Sequence, residues 1–264
     1  MSETPVLQEK IAPEAKPRRL RRSVLVLPSL FTVTNLFCGF YAIILTMNQM
    51  YSQASIAIAI AILLDSMDGF IARLTNSTSE FGLQLDSLSD VISFGVAPSI
   101  LVLKWGFLPD VEPHIDPRLA VAAAFALTVC GATRLARFNI QSGNRKHFVG
   151  LPIPAAGGTI AAIVFFFKNP VDGPIFAYIM LAVTFILAFL MVGTLRYNSL
   201  KGITLAKKSH LTVLVIALLF VLIFFLAEQT LLILAVGYAV SGPLVKVCGI
   251  LRRKKPARGN AELS

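Results

Sequence analysis

The chain has 264 residues, of which 56% are hydrophobic and 14% charged, well below the roughly 25% charged residues of a soluble domain. That composition excludes one large or two small soluble domains and leaves a single integral membrane domain with short polar tails. The formal charge of +10 is explained by where lysine and arginine fall along the chain, so no nucleic-acid partner is inferred from it.

Residues 1–22 are rich in Pro, Glu and Lys, carry acids, and end in Arg18, Arg19, Arg21 and Arg22. They read as a disordered tail with a basic anchor for anionic headgroups, not as a cleavable signal. Residues 23–249 read as the transmembrane catalytic domain and 250–264 as a second basic tail. Eight apolar runs follow one another at about 28–48, 53–74, 81–107, 118–139, 151–168, 173–194, 210–227 and 230–248, each close to the ~20 residues that a spanning helix needs. The fold class expected is therefore all-α and integral to the membrane, with about eight transmembrane helices. If the N-terminus is cytoplasmic, 21 of the 24 basic residues lie on that side, and only Lys104, Arg118 and Lys168 lie opposite. Both termini are then cytoplasmic, in a multi-pass protein of a cell membrane. Cys38, Cys130 and Cys248 lack metal-site spacing, and His114, His147 and His210 form no ligand set. Trp105 and Phe107 read as an interfacial aromatic anchor.

The second and third runs carry the polar chemistry. Between Asp65 and Asp90 the chain reads DSMDGFIARLTNSTSEFGLQLDSLSD. Asp65 and Asp68 are three apart on one helix, and Asp86 and Asp90 are four apart on the next, so each pair shares a helix face. The turn at Asn76–Glu80 makes the two helices an antiparallel hairpin, with Ser77 and Ser79 both plausible N-caps. Counting outward, Asp65 comes level with Asp90 and Asp68 with Asp86, about 10–17 Å from the turn at ~1.5 Å per residue. Each aspartate costs about 2.5–3.5 kcal/mol at a helix centre, so the group cannot face lipid. Divalent cations would supply the missing charge, and all-oxygen ligation favours Mg²⁺, Mn²⁺ or Ca²⁺. A proton or cation pathway, or a static core paired with arginine, are the other readings of the carboxylates alone.

The full string, Asp65-x2-Asp68-Gly69-x2-Ala72-Arg73-x8-Gly82-x3-Asp86-x3-Asp90, resembles the signature of the CDP-alcohol phosphatidyltransferases. Arg134-Leu-Ala-Arg137-Phe-Asn139, the string Gly150-Leu-Pro152-Ile-Pro154, and Pro28-x3-Thr32-x2-Asn35 resemble the serine-accepting bacterial and archaeal branch of that family. The resemblance covers roughly residues 22–160.

It implies transfer of a phosphatidyl group from CDP-diacylglycerol to the hydroxyl of L-serine, with release of CMP. It further implies two divalent ions, Mg²⁺ or Mn²⁺, held by Asp65, Asp68 and Asp86 with Asp90 sharing the second, and Asp90 as general base. Gly69, Arg73, Ser79 and Gly82, with Pro28, Thr32 and Asn35, become donor-site candidates. Arg134, Arg137 and Asn139 become serine-site candidates, because a guanidinium fork matches a carboxylate. Homodimerisation is a family expectation. Glycerol 3-phosphate or inositol phosphate is the nearer alternative acceptor, and a polyprenyl transferase or a cation transporter the more distant alternative.

Overall fold

The computed structural model describes residues 22–75, 80–108, 115–140, 148–170, 173–197 and 227–253. The tails, the turn at 76–79 and most of the expected run 210–227 lie outside them. Helix α1 (Arg22–Met47) and α2 (Tyr51–Thr75) form the first two spans. The third span, Glu80–Phe107, is helical throughout but not one regular helix. It comprises α3 (Glu80–Asp90), a π segment (Val91–Val96), α4 (Ala97–Val102) and a second π segment (Leu103–Phe107). Then come α5 (Pro117–Ile140), α6 (Ile153–Phe167), α7 (Pro174–Val192) and α8 (Ala227–Arg253). Among the described residues, five stretches are long and apolar enough to cross a membrane, ending with Pro174–Val192. This is a helical membrane protein.

Local chemistry sets the ends of these helices. Asp116 accepts the backbone N–H of Arg118 through Oδ1 at 2.8 Å, capping α5. Proline opens α5 and α7 and falls in the first turn of α6, where its missing N–H costs nothing. The strings before α6 and after α7 meet in a two-residue antiparallel ladder, β1 (Phe148–Val149) with β2 (Arg196–Tyr197). This is a small departure from an all-α chain. Gly150, at φ +86°, donates to the Leu195 carbonyl at 2.8 Å. A Cβ there would collide with the Met191 carbonyl, so glycine is required on both counts.

The first π segment lies where other helices press close. A π turn leaves carbonyls without their usual partners, and the Gly95 carbonyl accepts Ser99 Oγ at 2.7 Å. Thr128 Oγ1 on α5 lies 2.9 Å from Ser99 Oγ. Helix α6 approaches so closely that a Cβ on Gly157 would sit 2.7 Å from the Phe94 carbonyl. At the far end of the third span, Trp105 packs edge-on to Phe176 at 5.7 Å and obliquely against Phe167 at 6.3 Å. Trp105 and Phe107 are 1% and 0% exposed, which corrects the expectation of an interfacial anchor. Both side chains are buried in the bundle, where Trp105 meets Phe176 of α7. Close by, Lys168 Nζ pairs with Glu228 at 2.7 Å and ties the end of α6 to the start of α8.

The outer surface is apolar. Phe37, Phe40, Phe81, Phe125, Phe189 and Ile175 are all exposed. On a soluble protein they would form aggregating patches, whereas here they match a lipid surround.

Candidate active site

The four aspartates meet as their spacing predicts. Asp65, Asp68 and Asp86 each present a carboxylate oxygen within 4.8 Å of the others. The carboxyl of Asp90 is in hydrogen-bonding contact with that of Asp65, so the deeper pair is level too. Asp68 and Asp90 are buried. Oδ1 of Asp86 and Oδ1 of Asp90 are buried without a hydrogen-bond partner in the protein. Buried, unpartnered carboxylate oxygens are costly. Two of them beside the other carboxylates, all oxygen donors, suit a hard divalent cation.

Helix α1 closes this cluster from the side. Thr32 Oγ1 donates to Asp68 Oδ2 at 3.2 Å, and Asp68 also accepts the backbone N–H of Gly69. Ser89 Oγ donates to the Thr32 carbonyl at 3.2 Å, and Ser93 Oγ to the Asn35 carbonyl at 3.0 Å. A Cβ on Gly39 would lie 2.6 Å from the Ser93 Cα, so this seam closes only with glycine there. Asn35 is 0% exposed, and neither of its side-chain amide atoms has a protein partner. It lies deeper along α1 than the Thr32–Asp68 contact.

The candidates on α5 diverge. Arg134 is buried and within electrostatic reach of Asp90. Arg137 sends Nη2 to the Val192 carbonyl at 3.0 Å, satisfying the last carbonyl of α7. Asn139 Nδ2 donates to Ser87 Oγ at 2.9 Å and bridges α5 to α3. Arg134 thus faces the carboxylates, while Arg137 and Asn139 hold neighbouring elements. Gly69 and Gly82 lie on the two helices of the hairpin, both partly exposed. Pro28 and Arg73 have helical backbone but side chains outside the described set, and Ser79 lies outside the described residues.

The model of the CDP-alcohol phosphatidyltransferase family matches residues 25–194, which include all four aspartates. The chain belongs to that family. Among its relatives, a CDP-diacylglycerol–serine O-phosphatidyltransferase of Helicobacter pylori is 34% identical over 203 residues, covering 74% of this chain and 81% of the relative. An archaetidylserine synthase of Methanothermobacter thermautotrophicus is 36% identical over 183 residues, 68% of this chain and 72% of the relative. A CDP-diacylglycerol–serine O-phosphatidyltransferase of Bacillus subtilis is 33% identical over 176 residues, 66% of this chain and 91% of the relative.

A largely apolar groove of about 870 Å³ runs between α2, α6 and α8, walled by Ile60, Leu63, Pro154, Gly158, Gly237 and Tyr238 among others. Helix α8 lies beyond the matched segment. The seam residues Gly39, Ser89 and Ser93 were not among the predicted site residues. Their small size and the four-residue spacing of the serines are the signal that could have found them. A lone tyrosine in an apolar run, such as Tyr238, offers no such signal.

Proposed function

We propose that this protein is a phosphatidylserine synthase, transferring the phosphatidyl group of CDP-diacylglycerol to L-serine and releasing CMP. The observation that carries the proposal is the four-carboxylate cluster on α2 and α3, inside a family segment whose cited relatives are named for transfer to serine or for a serine lipid. Asp65, Asp68 and Asp86 would hold two divalent ions, with Asp90 sharing the second. When bound, such ions set positive charge against the donor diphosphate and the departing CMP. Glycine at positions 69 and 82 lets the nucleotide approach the hairpin backbone. Arg73, Ser79, Pro28, Thr32 and Asn35 complete the donor site.

Asp90 accepts the proton of the serine hydroxyl as that oxygen attacks the lipid-side phosphorus. The phosphorus–oxygen bond to CMP breaks, and CMP leaves with the electron pair. Arg134, the α5 arginine that faces Asp90, meets the serine carboxylate. Arg137 supports the pocket from behind through α7. The acyl tails lie in the groove between α2, α6 and α8, so that the donor need not leave the bilayer.

Eight crossings fit this reading. One of them would be the expected apolar run at about 210–227, which lies almost wholly outside the described residues. With both tails and the site on the cytoplasmic side, a cysteine replacing Ser77 should resist impermeant thiol reagents in intact cells. One replacing Glu112 should react, in a background without Cys38, Cys130 and Cys248. Reversed labelling would put the site outside.

The function is tested by incubating purified protein with CDP-diacylglycerol, Mg²⁺ or Mn²⁺, and serine, glycerol 3-phosphate or inositol phosphate in turn. Phosphatidylserine and CMP should form in equal amounts and stop on chelation by EDTA. Preference for another alcohol would reassign the acceptor. Undiminished turnover in EDTA would remove the metal.

A further inference from the structure

The two helices that carry the acids are bridged by one residue of a third. Thr32 of α1 is buried beside Asp68. Its hydroxyl donates to Asp68 Oδ2 on α2 at 3.2 Å, and its carbonyl accepts Ser89 Oγ on α3 at 3.2 Å. A helical carbonyl keeps a second lone pair for such a donor. Ser89 is fully buried and directly precedes Asp90. Deeper along the seam the pattern repeats. Ser93 Oγ reaches the Asn35 carbonyl at 3.0 Å, and a Cβ on Gly39 would lie 2.6 Å from the Ser93 Cα. Helix α1 therefore cannot slide along the third span without breaking both serine contacts and a close seam. Like charges on Asp65, Asp68 and Asp86 push α2 and α3 apart, and Thr32 joins those same helices through uncharged groups. A hydroxyl on one carboxylate oxygen also fixes how that carboxyl is turned. Groups standing behind metal ligands in this way govern affinity.

We propose that Thr32 and Ser89 are positioning residues for the metal site. Ser89 holds the Thr32 backbone, and the Thr32 hydroxyl sets the Asp68 carboxylate against Asp65 and Asp86. The pair acts before any donor arrives, so this role is separate from contact between Thr32 and the donor. It rests on the reading of the carboxylates as a divalent-metal site.

The test measures Mn²⁺ binding to the purified full-length protein by electron paramagnetic resonance, without donor or serine. Melting temperatures are recorded in the same detergent, and the CDP-diacylglycerol KM is measured at saturating Mn²⁺. Thr32→Val nearly keeps the side chain's shape and removes the hydroxyl. It should weaken Mn²⁺ binding at least ~10-fold, the low end for losing a group behind a metal ligand, with a melting temperature close to wild type. Thr32→Ser keeps the hydroxyl and should stay within about twofold of wild type. Ser89→Ala should weaken binding about threefold, the size expected for one neutral hydrogen bond. Added to Thr32→Val it should change little more, because residues acting through one another are non-additive. Unchanged Mn²⁺ affinity in Thr32→Val overturns the proposal, and a raised donor KM beside it would assign the hydroxyl to the donor instead. Equal loss in Thr32→Ser and Thr32→Val, or affinity that falls only in step with melting temperature, also overturns it. So does a full effect of Ser89→Ala on top of Thr32→Val. If the wild type binds no Mn²⁺, the metal reading itself falls and takes this role with it.

Discussion

At the Asp90 end of the third span, four acids converge and two of their buried oxygens have no protein partner. At the Trp105 end of the same span, three aromatic rings interlock with centroids 5.2–6.3 Å apart, and an ion pair ties α6 to α8 beside them. Both ends begin or finish with a π segment, so departure from regular helix does not by itself mark function. What differs is charge, since the ring N–H of Trp105 is also buried without a protein partner but is neutral. The aromatic end gains dispersion energy and holds helices together, whereas the acidic end spends stability to keep like charges close. Stability and chemistry are thus segregated along one helix.

The sharpest way to break that contrast is to neutralise single acids. Asp65→Asn should leave no measurable transfer, because an amide cannot replace the ligand charge. Asp90→Asn should still bind CDP-diacylglycerol but turn over at least ~10²-fold more slowly. Neither variant should melt lower than wild type, since each removes one of four mutually repelling charges. A large drop in melting temperature for Asp65→Asn would mean that the cluster is structural. Next in size is Trp105→Ala, which should cost about 3–5 kcal/mol of stability by emptying a packed site. Protein that remains folded should keep its serine and donor KM, and a changed KM would show that the two ends are coupled. The smallest effect concerns the groove. A Cβ on Gly237 meets nothing within 4 Å, so Gly237→Leu should fold normally and fill part of the space. It should lower kcat/KM for long-chain CDP-diacylglycerol about fourfold, the worth of one buried methylene, and leave a short-chain, water-soluble donor unaffected. Equal loss with both donors would place the tails elsewhere.

The acidic end was legible in the sequence because its information is local. Three- and four-residue spacings around one polar turn dictate which carboxylates come level, and Asp65 with Asp90 does so. Six described stretches, from α1 to α7, follow the expected apolar runs within a few residues, since hydropathy over a span averages out local error. The aromatic end was misread for a complementary reason. A tryptophan near a helix end has the same composition signal whether it meets headgroups or the bundle interior, and only the packing of α7 decides. The π segments at Val91–Val96 and Leu103–Phe107 were invisible because the apolar residues there would suit an α-helix equally well. The division of labour between Arg134 and Arg137 depended on where α7 ends, a long-range fact that their spacing on α5 does not contain.

The contact from Thr32 to Asp68 has a consequence for biosynthesis. Asp90 leaves the ribosome 44 residues ahead of Arg134, an interval of roughly 2–9 s at ~5–20 residues per second. The four acids are therefore synthesised before the buried arginine that later lies near them. During that interval the nascent chain already contains α1, whose Thr32 hydroxyl can meet Asp68, and α2, whose Gly69 N–H can do the same. The order of synthesis thus places one polar partner of the most awkward hairpin, Thr32, upstream of it and another, Gly69, within it.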